Sequence, residues 1–128
     1  MLNEQDYYGT KRVTAWLQTR NDQDVGYGVR YADGYTSWSP KAAFEEAYHS
    51  IEALPFGCAH KAMCDGHKVS RRSWKQESYQ PYIFINTYYT TSGSKKCIFI
   101  FTPDGTYHPW QPTMDDLVAE DYYICDTV

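Results

Sequence analysis
The chain has 128 residues, enough for one domain or a small domain with an appendage but too few for two large lobes. Hydrophobic residues at 42% and charged residues at 22% exclude a disordered chain, and a net charge of −4 argues against a general DNA or RNA binder, whose affinity rests on basic surface. There is no run of about 18 apolar residues, and the polar start MLNEQDYY lacks the charged and apolar regions of a secretion signal, so neither membrane nor export is expected.

In chain order, TKRVTAWLQT and GYGVRYADGYTSWS are rich in Val, Thr, Tyr and Trp and alternate, which predicts strands near 10–18, 26–32 and 35–38. Asp33-Gly34 supplies the positive φ of a tight hairpin between the last two. Ser39-Pro40 reads as an N-cap with proline at the first helical position, and Phe44, Ala47, Tyr48 and Ile51 fall on one stripe of a helix of about three to four turns ending before Pro55.

A second, short helix over 56–64 presents Phe56, Ala59 and Met63 on one face, with Gly66 suited to a left-handed cap. Strands follow at 68–74, 81–89, 97–102 and 106–110, with a polar loop, TTSGSKK, at 90–96 and a turn at Pro103-Asp104-Gly105. Thr113 and Asp116 form an acidic capping box for a short helix through Glu120, and YYICD reads as a last edge strand. The fold class is therefore α+β: a small antiparallel sheet with short helices (54–128), preceded by an N-terminal β-hairpin and helix extension (1–53). Tyrosine occurs 13 times, which fits either half-buried rings on sheets or a surface that stacks on flat ligands.

The stretch CAHKAMCDGH, 58–67, gathers two cysteines and two histidines. On a helix Cys58 and His60 project about 200° apart, so one ion cannot take both. His60, Cys64 and His67 leave three ligands at best, in a spacing unlike zinc fingers or ribbons. No metal and no cofactor is expected. With Cys97 and Cys125, these cysteines form no disulfide framework and read as thiols.

From Phe56 onward, FGCAHKAMCDGHKVSRRSW resembles the opening of the second Thoeris anti-defence family, small phage proteins that sequester a bacterial immune signalling nucleotide. PYIFI and TPDGTYHPWQPTMDDLVAEDYYI resemble that family's later blocks, so the resemblance covers about residues 54–128. Three departures stand out. Tyr122 replaces the usual closing Trp, the loop after Trp74 is short (KQESYQ), and residues 1–53 have no counterpart in compact members. That extension, with YADGYTSWSP, resembles short phage proteins of unknown role and implies no activity.

The resemblance implies a sponge that binds a cyclic ADP-ribose-type signal (glycocyclic ADP-ribose) or a cyclic dinucleotide without cleaving it, in the cytoplasm of an infected bacterial host. It also implies a homo-oligomer, tetramer or dimer, with ligand held between protomers, and no nucleic acid polymer. Its ligand-binding residues would be Phe56, Arg71, Arg72, Trp74, Trp110 and Asp116. On a strand over 68–74, Arg72 and Trp74 share one face, a guanidinium beside an indole for phosphate and base, while Arg71 lies on the other. Taken without the resemblance, Trp74 and Trp110 read as core packing, Phe56 as core, Asp116 as a helix cap, and the two arginines as a solvated strand edge. Two rivals remain in view: a protein-binding inhibitor of a host defence enzyme, and an enzyme that degrades the signal. The second lacks an activated nucleophile or a convincing carboxylate pair in the sequence, and Asp115-Asp116 diverge as neighbours on a helix.

Overall fold
The computed structural model describes residues 3–76 and 79–126. Chain contacts gather into two compact units, Met1–Tyr48 and His49–Val128. The division falls slightly before the expected one because Ile51 and Glu52 bond into the second unit: Ile124 N donates to Ile51 O at 3.1 Å and Arg72 Nε to Glu52 O at 3.2 Å.

The first unit is a three-stranded antiparallel sheet, β1 (Thr14–Arg20), β2 (Asp24–Arg30) and β3 (Thr36–Pro40) in that order, followed by α1 (Lys41–Ala47). The strands number as predicted, but β1 runs on to Arg20 and turns at Asn21 and Asp22, with φ of 54° and 58°. Asn and Asp are the residue types that tolerate this conformation, so a second hairpin signal was present and unread. α1 is shorter than the stripe suggested. Ser39 belongs to β3 and Pro40 takes the N-cap position, because the chain passes from sheet to helix without a loop. Phe44 stacks on Tyr27 at 4.3 Å and Tyr48 on Phe44 at 4.8 Å, but Ala47 is exposed and Ile51 lies beyond the helix. Ile51 already belongs to the second unit, where its carbonyl accepts from Ile124 N and so is not available to extend α1.

In the second unit α2 (Phe56–Cys64), β4 (Val69–Arg71), β5 (Tyr82–Thr90), β6 (Gly93–Phe101), β7 (Tyr107–Pro109), α3 (Met114–Val118) and β8 (Tyr122–Ile124) form a five-stranded antiparallel sheet of order β7-β6-β5-β4-β8 with two short helices. The α+β class thus holds. The stretch 90–96 is mostly strand rather than loop: Thr90 pairs with Gly93 across a two-residue turn, and Thr90 Oγ1 donates to Gly93 O at 2.9 Å. Gly93, with φ of 127°, adopts a conformation that side chains resist. The short loop after Trp74 includes residues 77 and 78, which lie outside the described residues.

The core forms where α2 lays Ala59, Ala62 and Met63 on Val69, Ile83, Tyr122 and Ile124, with Leu54 closing one side. Side chains alternate across a strand, so Ile85, Ile98 and Ile100 extend this core while Tyr82, Phe84, Phe99 and Phe101 occupy the reverse face, with Tyr107 of β7 beside them. Gly66 follows α2 with φ of 96°, and both bonds of the Thr113–Asp116 capping box are present. Among the described residues, no helix is long and apolar enough to cross a membrane.

Candidate functional site
One end of the second unit's core is built of rings. α2 begins at Phe56 because Pro55 fixes the entering backbone, and this puts the Phe56 ring 5.9 Å from Trp110 and 5.7 Å from Tyr122. Trp110 directly follows β7, its backbone N–H donating to Ile98 O at 2.8 Å. Trp74 meets Trp110 at 6.0 Å and Tyr122 at 6.2 Å, both nearly edge-on, the arrangement that sets a ring's positive rim on its neighbour's negative face. Phe56, Trp74 and Trp110 are half-buried and Tyr122 fully buried.

The expectation that Arg72 and Trp74 share a strand face is overturned. β4 stops at Arg71, and Arg72–Trp74 form one turn of 3-10 helix, in which positions three apart eclipse. Arg71 therefore neighbours Trp74, its guanidinium 5.9 Å from the indole, and it also lies 5.7 Å from the Tyr122 ring. Arg72 turns to Tyr123, 4.5 Å from that ring, and to the exposed Glu52 at 3.7 Å.

Arg71 is itself clamped. Its Nη1 donates to Asp116 Oδ1 at 2.6 Å and its Nε to Asp121 Oδ1 at 2.8 Å. Asp116, buried, caps α3 with its other oxygen, accepting from Thr113 N at 2.8 Å. Asp121 Oδ2 accepts from Ser73 N at 3.1 Å and so holds the turn that carries Trp74. Burial alone would raise the Asp121 pKa, but bonds from Arg71 and Ser73 outweigh it and the carboxyl sits below its ordinary value. Burial opposes the Arg71 charge, and its two carboxylates more than restore it. Arg71 thus ties Asp116 to Asp121 with its guanidinium beside the Trp74 ring.

Five of the six residues named from the sequence are thus linked by contact, Phe56 to Trp110 to Trp74 to Arg71 to Asp116, while Arg72 stands apart. Sequence reasoning missed Asp121 and Tyr122 as parts of this cluster. Both lie in the block DDLVAEDYYI, where an acidic residue immediately before a strand was the available signal. Tyr122 Oη donates to Asp116 O at 2.6 Å, and burial pushes its pKa up to about 12.

The cysteine–histidine stretch resolves into separate contacts. His60 Nδ1 is 3.9 Å from Cys64 Sγ, one helical turn away, while His67 Nδ1 faces Asp126 Oδ1 at 3.2 Å. Among the described residues, no group of three or more His, Cys, Asp or Glu side chains could hold a metal ion.

Comparison with known protein families matches residues 54–125, more than half the chain, to the Tad2-like domain, described as Thoeris anti-defense 2-like. The chain belongs to the Thoeris anti-defense 2-like family. No curated protein matches it. The Tad2-like match begins at the residue that bridges to Tyr122, Leu54, and runs to Cys125, just past β8, so it takes in the whole ring cluster and its carboxylate clamp. The first unit lies outside it.

Proposed function
We propose that this Tad2-like protein sequesters a cyclic ADP-ribose-type immune signal, or a related cyclic dinucleotide, in the cytoplasm of an infected bacterial host and releases it unaltered. The observation that carries this reading is the half-buried pair Trp74 and Trp110, in mutual contact with Trp74 braced by the Asp121–Arg71–Asp116 clamp, inside the segment that matches an anti-defence family. Their outer surfaces offer a purine a flat, oriented partner.

Base stacking is worth roughly 1–3 kcal/mol per ring, against about 12 kcal/mol for nanomolar affinity, so polar groups must contribute. Arg71 is already matched by two carboxylates, which leaves phosphate recognition to the exposed Arg72 and to cations of a second copy. A second copy has a surface to use. The reverse face of the sheet, with Phe84, Phe99, Phe101 and Tyr107, carries partly exposed rings and, among the described residues, no helix of its unit, in keeping with a homo-oligomer that closes the ligand between protomers.

Group chemistry in the cluster favours binding over cleavage. Both carboxylates are bonded to Arg71, one also serves as a helix cap, and burial raises the nearby Cys58 thiol away from the reactive thiolate. Calorimetry with glycocyclic ADP-ribose and a small panel of cyclic dinucleotides, followed by heat denaturation and recovery of the nucleotide, tests the proposal. Intact nucleotide is the expected recovery; a linearised product would mean an enzyme. Trp74→Ala and Trp110→Ala should each weaken binding at least tenfold in a folded chain. Unchanged affinity in both would overturn the site.

A further inference from the structure
The first unit carries a second set of oriented rings. Alternation across the strands places Trp16, Gln18 and Arg20 of β1, Gly26, Gly28 and Arg30 of β2, and Trp38 of β3 on one face. α1 packs on the other face, through Phe44 on Tyr27. Trp16 and Trp38 both stand opposite Gly28, and each indole leans inward over β2. A side-chain carbon on Gly28 would collide with three adjacent ring atoms of Trp16, and one on Gly26 with two of Trp38, so each ring lies on a glycine backbone.

The indole N–H groups fix the rings in plane. Trp16 Nε1 donates to Gln18 Oε1 and Trp38 Nε1 to Gln18 O, both at 2.9 Å. Trp16 keeps an open surface, 40% exposed. The Arg20 guanidinium lies 3.9 Å over the Trp38 ring and that of Arg30 lies 5.8 Å from Trp16. A guanidinium stacked by its face retains its in-plane N–H donors, and neither arginine is in an ion pair among the described residues. The face thus offers two flat platforms, the Trp16 indole and the Arg20 guanidinium backed by Trp38, two residues and so about 7 Å apart along β2, with unclaimed cationic donors at both ends.

We propose that this face binds a linear dinucleotide bearing a 5′-phosphate, one base on each platform and its phosphates at Arg20 and Arg30. Charge sets the size of the occupant. Among the described residues of the three strands, Arg20 and Arg30 are the cations on this face, with Asp24 opposite Arg20, so a strand longer than the sheet face would add phosphates without adding partners from these strands. The site lies outside the Tad2-like segment and does not depend on the reading given for it.

Four tryptophans give four indole N–H signals, Trp16 and Trp38 in the first unit and Trp74 and Trp110 in the second. Titration of the labelled full chain with 5′-phosphorylated diadenylate, followed by nuclear magnetic resonance, should move the Trp16 and Trp38 signals, and should still do so in the Trp74→Ala variant. Trp16→Ala should weaken this binding at least tenfold, and Arg30→Gln, an exposed change that spares the fold, about fivefold. Still signals at Trp16 and Trp38 with millimolar ligand, or movement confined to Trp74 and Trp110, would overturn the proposal. So would a ten-nucleotide single strand that binds more than tenfold tighter, since the occupant would then be a polymer. Failure here leaves the cyclic-signal titration of the second unit unaffected, because the two read different signals.

Discussion

In the second unit Trp74 meets Trp110 and Tyr122 edge-on, and the three rest on a core of Met63, Val69 and Ile83. In the first unit Trp16 and Trp38 lie on Gly28 and Gly26, and Val29 is the buried hydrophobic residue among its described positions. One unit positions aromatic rings with other side chains and a buried ion-pair clamp; the other positions them with bare backbone and arginine. The difference concerns what each arrangement tolerates. A ring held by side chains depends on partners distant in sequence, such as Asp121 for Trp74, whereas a ring on glycine depends on the absence of one methyl group.

Mutations separate these modes. The largest effect is expected at the clamp: Arg71→Ala strips the buried Asp116 and the partly exposed Asp121 of their shared cation, and should cost about 3 kcal/mol in denaturant unfolding, with loss of near-ultraviolet dichroism from the Trp74 cluster. Gly28→Ala should cost about 1–3 kcal/mol by displacing Trp16, visible as a shift in that residue's indole signal with the Trp74 signal unmoved. Tyr122→Phe removes the hydroxyl donor to Asp116 O in a fully buried position, and should cost about 1 kcal/mol by thermal melting while preserving the ring packing. Gly57→Ala provides the contrast. Gly57 lies in α2 with open space where a side chain would go, so alanine should stabilise by about 0.5–1 kcal/mol.

Acid probes the clamp without mutation. Asp121 has a folded pKa below its ordinary 3.8, so it contributes stability that is fully present above about pH 4 and is lost as pH falls further. Asp126, with Lys68 N and His67 as partners, shifts the same way. Melting temperature should fall between pH 4 and pH 2, and Asp121→Asn should make that limb shallower, the rest belonging to Asp126 and to Asp104, which bonds from Thr102 and Thr106 hold at about 2. An unchanged limb would remove Asp121 from the clamp.

Local signals carried much of the fold. The α2 boundaries, the Thr113–Asp116 capping box, the Asp33-Gly34 and Gly105 turns and the strand periodicity of 81–89 could be read because each depends on residues within a few positions. α1 was overestimated because Ile51 fits a helical stripe but its carbonyl is taken by Ile124. The run 90–96 looked like a loop because Gly and Ser weaken any strand signal, yet nine cross-strand pairs from Tyr82 to Thr90 carry it into the hairpin. At the site, Phe56, Trp74, Trp110 and Asp116 were named from motif resemblance. The partner of Trp74 was misassigned because a strand was extended three residues too far, exchanging Arg71 for Arg72.

The sequence by itself determined most of the element types, the capping of α2 and α3, the family blocks between residues 54 and 125, and the aromatic richness of both units. Only the tertiary structure decided which arginine braces Trp74, that Asp121 closes the clamp, and that Trp16 and Trp38 lie on glycines. Those contacts join residues up to 50 positions apart, as with Arg71 and Asp121, or depend on strand register. Propensities act over a few residues and cannot choose among such partners; burial and hydrogen-bond satisfaction, which act on the folded whole, do.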